Sequence, residues 1–187
     1  MGKASKRIAK FLIRKWEYNS FPEDVEKAVV IMAPHTSMWD FCYGKLYFIV
    51  HGKKPAFLIK KEAFFWPLGP ILRKLGGLPV DRGKRTGLTD EVIKAFSESE
   101  GEFYLVITPE GTREKTKNWK KGFIRIAKGA NVPIICGFID FVNKKMGVMP
   151  PLDMSGTEDE IMERVKQRYT GMEGFHKGKF ATGYEEN

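Results

Sequence analysis

His35 and Asp40 stand five positions apart where an apolar run gives way to a polar segment, Ala33-Pro34-His35-Thr36-Ser37-Met38-Trp39-Asp40. An imidazole is well matched to taking a proton near neutral pH. A carboxylate on its other nitrogen fixes the tautomer and stabilises the imidazolium that forms. The same residues have a second reading. Ser37 and Asp40 fit a helix capping box, with Ser37 as N-cap and Asp40 at the third helical position. That reading leaves the histidine unexplained, although it too could be simply a satisfied buried residue; spacing alone leaves both readings open.

A second polar cluster follows another apolar run. Pro109-Glu110-Gly111-Thr112-Arg113 places a carboxylate, a flexible glycine, a hydroxyl and a guanidinium in succession. Gly111 permits close backbone approach to a ligand, and the planar fork of Arg113 suits a phosphate. Lys115, Lys117, Lys120, Lys121, Arg125 and Lys128 lie just beyond, a run that also reads as a solvated basic face. Gly76-Gly77-Leu78-Pro79-Val80-Asp81-Arg82 is a weaker element, a turn and short strand ending in an arginine.

These segments need a scaffold that brings strand ends together. Lys27–Ala33, Ala56–Lys60, Leu78–Val80, Phe103–Thr108 and Val132–Asp140 read as strands, with Lys145–Met149 as a hairpin partner. Helical patterns fall at Ser37–Val50, Thr86–Ser99, Trp119–Ala130 and Glu158–Tyr169, while Pro67–Leu75 is apolar but broken by Gly69 and Pro70. The alternation predicts a single α/β domain with a mixed, largely parallel central sheet flanked by helices. In such folds, ligands bind outside the carboxyl ends of the strands.

With 187 residues the chain suits one domain with its own core. Its net charge of +9 favours anionic partners: nucleic acid, a phospholipid surface or a charged substrate. No nucleic-acid motif is present, and Trp119 and Phe123 fall on an apolar helical stripe rather than among exposed basic residues. No nucleic acid is expected as partner. Cys42 and Cys136 fit neither a disulfide framework nor a zinc site, so reduced thiols in a cytoplasmic protein are expected, with no metal.

No apolar stretch approaches the length of a membrane span. Residues 1–18 form a basic segment with Ile8, Phe11, Leu12 and Trp16 at helical spacing. That is either an interfacial helix on an anionic membrane or a surface helix packed on its own domain. Residues 19–170 form the main domain, and 171–187 a polar, loosely ordered tail.

Taken together, His35…Asp40, Gly76–Arg82, Pro109–Arg113 and Val132-Pro133-Ile134 resemble, in order, the motifs of the glycerolipid acyltransferase family, which includes lysophosphatidic acid acyltransferases. The resemblance covers roughly residues 30–140, and the joint His-x4-Asp and Pro-Glu-Gly-Thr-Arg match makes it specific. It implies a glycerol-3-phosphate acyltransferase-like fold. It also implies an O-acyltransferase of phospholipid synthesis acting on a lysophospholipid, foremost 1-acylglycerol-3-phosphate. The acyl donor would be acyl-CoA or acyl carrier protein, used as a substrate, with no bound cofactor.

By the same resemblance His35 and Asp40 are catalytic, while Arg82, Glu110, Gly111, Thr112 and Arg113 bind the acceptor. The enzyme would sit peripherally on the cytoplasmic membrane face. Pro34 stands where many relatives have Asn, Glu114 where many have Ser, and no long hydrophobic N-terminal segment is present. These departures loosen the acceptor, so another lysolipid such as a lyso-ornithine lipid stays open. So do a hydrolase using the same pair and a non-catalytic basic protein that binds membrane or nucleic acid.

Overall fold

The computed structural model describes residues 2–81 and 87–184. In chain order the elements are α1 (Lys3–Leu12), β1 (Glu17–Tyr18), β2 (Lys27–Met32), α2 (Met38–His51), β3 (Pro55–Lys60), α3 (Leu68–Lys74), β4 (Gly77–Val80), α4 (Leu88–Glu98), β5 (Phe103–Ile107), α5 (Gly122–Ala130), β6 (Ile134–Asp140), β7 (Lys145–Val148) and α6 (Glu158–Tyr169). Seven strands form one sheet in the order β1-β7-β6-β2-β5-β3-β4. All pairings are parallel except the β6–β7 hairpin. This is the mixed, largely parallel sheet that the alternation predicts.

β2 lies at the centre, between β5 and β6. Its sequence KAVVIM shows no polar alternation because both of its faces are covered, as parallel sheets require. Ala28 and Val30 pack with Tyr104, Tyr47, Phe48, Ala9 and Ile13 on one face. Val29 and Ile31 pack with Phe123, Ile124, Val92, Ile161 and Tyr169 on the other. The first face is therefore covered by α1 and α2, the second by α4, α5 and α6.

α3 belongs to the first layer. A Cβ at Gly77 would meet the Leu72 carbonyl, the Phe64 ring and Ile59. Ile59 shares the face of Phe57, which packs with the α1–α2 core. Lys45 of α2 also donates its Nζ to the Leu75 carbonyl at 2.6 Å, so α2 lies beside α3 as well as α1.

Three expectations change. Residues 1–18, read as one basic amphipathic helix, are helical only to Leu12; Glu17–Tyr18 is strand β1, and Trp16 leaves the stripe to pack on Tyr43 and Phe141. The Pro67–Leu75 region, read as merely broken, forms the short helix α3; Pro70 sits in its first turn, where a missing N–H costs no intrahelical bond. The tail expected to be loose is docked. Phe180, Ala181 and Thr182 are buried, and the Trp119 indole N–H donates to the Ala181 carbonyl at 3.1 Å. Trp119 precedes α5 instead of lying in it, so its ring receives the tail, with Phe180 5.8 Å away. Among the described residues, no helix is long and apolar enough to cross a membrane.

Candidate active site

β2 and β5 run parallel in register, Ile31 opposite Ile107, so their C-terminal ends lie side by side. From there the chain leaves β2 for α2 on one face and β5 for α5 on the other. Neighbouring strand ends whose connections diverge open a crevice, the usual ligand site of an α/β sheet. The two polar clusters singled out in the sequence are the loops at this point.

His35 lies in the turn between β2 and α2, partly exposed, with its Nδ1 3.3 Å from Asp40 Oδ2. That oxygen also accepts the backbone N–H groups of Thr36 at 2.7 Å and Ser37 at 2.8 Å. The Ser37 hydroxyl accepts the Trp39 N–H at 3.2 Å, and Ser37 and Asp40 form a reciprocal capping box. Capping and pairing with the histidine are thus one arrangement. The cap holds the Asp40 carboxylate at the helix start, and the turn before it swings His35 back over the same oxygen. Asp40 is buried, and its Oδ1 has no hydrogen-bond partner among the described residues. With Nδ1 facing Asp40, Nε2 is the ring nitrogen left to meet a substrate.

Glu110 connects the second cluster to the first. Its side chain is buried, and its Oε1 accepts the His35 backbone N–H at 2.8 Å. Burial pushes its carboxyl up to about 8, with the Asp40 charge adding to the rise and the His35 N–H opposing it. Glu110 therefore does not share the exposed surface of Gly111, Thr112 and Arg113; it points inward and holds the histidine loop. Gly111 has a φ of 67°, a conformation that favours glycine and turns the chain outward just after Glu110. The Thr112 hydroxyl accepts the Glu114 N–H at 3.2 Å and so shapes the loop. Arg113 is exposed and makes no ion pair among the described residues. Arg82 lies outside the described residues.

The tail, absent from the sequence-predicted site, reaches both loops. The His176 backbone N–H donates to Thr36 Oγ1 at 3.1 Å, and Lys179 pairs with Glu114 at 2.9 Å. Phe175 and Phe180, aromatic rings in a Gly-rich and largely polar stretch, are the sequence signal for it. Tyr169 at the end of α6 braces the sheet beneath, its hydroxyl donating toward the carbonyls of Ile31 at 3.0 Å and Gly137 at 2.9 Å. Among the described residues no three His, Cys, Asp or Glu side chains are grouped to hold a metal ion.

A family model described as Acyltransferase matches residues 13–139, which include β2, α2 and the loop after β5. The chain belongs to the acyltransferase family. The match spans both loops of the crevice, and acyl transfer is the general chemistry this acyltransferase performs. A comparison with curated proteins returns no match.

Proposed function

We propose that this acyltransferase moves a fatty acyl group from the thioester of coenzyme A or acyl carrier protein to the hydroxyl of a lysophospholipid, 1-acylglycerol-3-phosphate first among them, in phospholipid synthesis. The observation that carries the reading is the Nδ1–Oδ2 approach of His35 and Asp40, which leaves Nε2 as the ring nitrogen not engaged by Asp40. Nε2 removes the acceptor hydroxyl proton as the oxygen attacks the thioester carbonyl. The tetrahedral intermediate collapses, the C–S bond breaks, and the thiolate leaves, taking the proton back from the imidazolium. Asp40 keeps the ring oriented and balances its charge meanwhile.

Arg113, exposed on the loop after β5 and without an ion pair among the described residues, is the group we assign to the acceptor phosphate, with Arg82 and the backbone of Gly111 and Thr112 assisting. Glu110 serves the acceptor indirectly, by fixing the His35 loop. The exposed stripe Ile8, Phe11 and Leu12 of α1, amid Lys3, Arg7 and Lys10, supports peripheral binding to the anionic cytoplasmic membrane face. The face of α1 that packs on the domain is the other one, through Ala9 and Ile13.

The test is acyl transfer by the purified protein, from acyl-CoA and from acyl carrier protein, to a panel of lysophospholipids and a lyso-ornithine lipid. His35→Ala is expected to lower turnover by roughly 10³-fold, the scale of losing a general base. Arg113→Ala should raise KM for a phosphate-bearing acceptor and leave the thermal transition unchanged. Transfer to no acceptor, or full activity in His35→Ala, would overturn the reading; release of free fatty acid to water would make the protein a hydrolase.

A further inference from the structure

The α3 segment carries an unusual surface. Phe65, Trp66, Leu68, Ile71 and Leu75 are all exposed, Trp66 the most at 84%. They lie on one short helix and the turn leading into it, and neither core cluster includes them. Lys60, Arg73 and Lys74 are exposed among them, and Glu62 is the only acidic residue between positions 60 and 75. Arg73 lies 5.2 Å from the Phe64 ring, so its guanidinium is held at the edge of the apolar group. Lys61 is paired with Asp81 and adds no free charge.

This patch has neighbours of the same kind. α1 presents Ile8, Phe11 and Leu12, and the start of α2 presents Met38 and Trp39. Ten of the thirteen exposed large apolar side chains among the described residues therefore fall on three adjacent helical segments over one face of the sheet. α4, α5 and α6, on the other face, carry none. Large apolar groups ringed by lysine and arginine, with a tryptophan outermost, match the physics of an anionic lipid interface: rings and aliphatic chains enter the headgroup boundary while cations stay with the phosphates.

We propose that Phe65, Trp66, Leu68, Ile71 and Leu75, bordered by Lys60, Arg73 and Lys74, form a second membrane-contact surface, which with α1 seats the protein on an anionic bilayer by two points. α2 lies between these two points, and its first residues, Met38 and Trp39, adjoin His35. Two-point seating turns the start of α2, and with it the crevice, toward the lipid. A single contact through α1 would leave the molecule free to pivot. The inference rests on the acyltransferase reading only for the use of that orientation; the contact itself requires no reaction.

The test measures partition of the full-length protein into vesicles of phosphatidylglycerol and phosphatidylcholine, without acyl donor or lysolipid. Trp66→Ser/Ile71→Ser is expected to reduce partition by roughly tenfold or more, since two apolar groups no longer leave water. Both positions are exposed, so circular dichroism and the thermal transition should be unchanged. Trp66→Phe should keep most of the partition but lose most of the vesicle-induced blue shift in tryptophan emission. Unchanged partition of the double variant would overturn the proposal. So would light scattering that shows a dimer in solution made monomeric by the same substitutions, because a second copy would then cover the patch. His35→Ala, inactive if the acyltransferase mechanism holds, should bind vesicles like the unaltered protein, so a failed contact and a failed mechanism give different results.

Discussion

The two helical layers on the sheet solve the same burial problem differently. α4, α5 and α6 turn their apolar stripes wholly inward, through Val92, Phe96, Phe123, Ile126, Ile161 and Val165. Their outer faces are charged and cross-linked, Lys121 with Asp159 and Arg125 with Glu158 at 2.9 Å. α1, α2 and α3 bury apolar groups too, but leave others in the open. A layer that only had to cover the sheet would have no use for Trp66 or Phe11 on its outside. One layer hides its apolar groups against the sheet; the other buries some and leaves ten large ones exposed.

The comparison breaks first at the core. Phe123 of α5 is 2% exposed, and Phe123→Ala should cost about 3–5 kcal/mol, the usual range for a large aromatic cavity. Chemical denaturation checks this. A loss below about 1 kcal/mol would mean that the α5 face is not the close-packed foundation described here.

The next test lies where the layers meet. Glu110 follows β5, whose connection leads to α5, yet its carboxyl holds the loop leading to α2. Its folded-state carboxyl stands near 8, above the ordinary value of 4.5. The sign follows from linkage. The folded state holds a proton that the unfolded chain has released between those limits, so stability contributed by Glu110 is full below pH 4.5 and lost as pH rises through about 8. The slope should reach about 1.4 kcal/mol per pH unit for one proton. Glu110→Gln keeps an acceptor for the His35 N–H and should flatten the slope. An unchanged slope would show that another group is responsible.

Much of this was legible in the residues. Strands β2 to β7, α2, α6 and the two polar loops follow from local pattern, because burial on both faces and capping chemistry are local facts; the two-residue β1, inside a segment patterned as a helix, does not. Ser37 and Asp40 illustrate the limit. Spacing offered capping or pairing as rivals, and only the three-dimensional turn shows one oxygen serving both. Glu110 was grouped with Arg113 by sequence adjacency, but a left-handed Gly111 between them separates inside from outside. The docking of the tail is hidden in the sequence because the stretch is Gly-rich and polar; it depends on Trp119, 62 positions away from Ala181. α3 was obscured by Gly69 and Pro70, and its exposure could not be read from composition, since an apolar run ordinarily signals burial.

The smallest expected effect sharpens the comparison most. Phe11 and Ile13 are two residues apart, yet Ile13 is fully buried while Phe11 is 62% exposed. Phe11→Ser should change stability by less than about 0.5 kcal/mol, as exposed positions usually do. If the outer face of α1 serves the bilayer, the same substitution should lower vesicle partition several-fold, the scale of removing one apolar side chain from an interface. Substitution suits this question better than removal of residues 1–18, because removal would also uncover the α2 surface beneath Ala9 and Ile13. A variant that is less stable but binds as before would place Phe11 in the fold rather than at the interface. The first layer would then differ from the second in degree only.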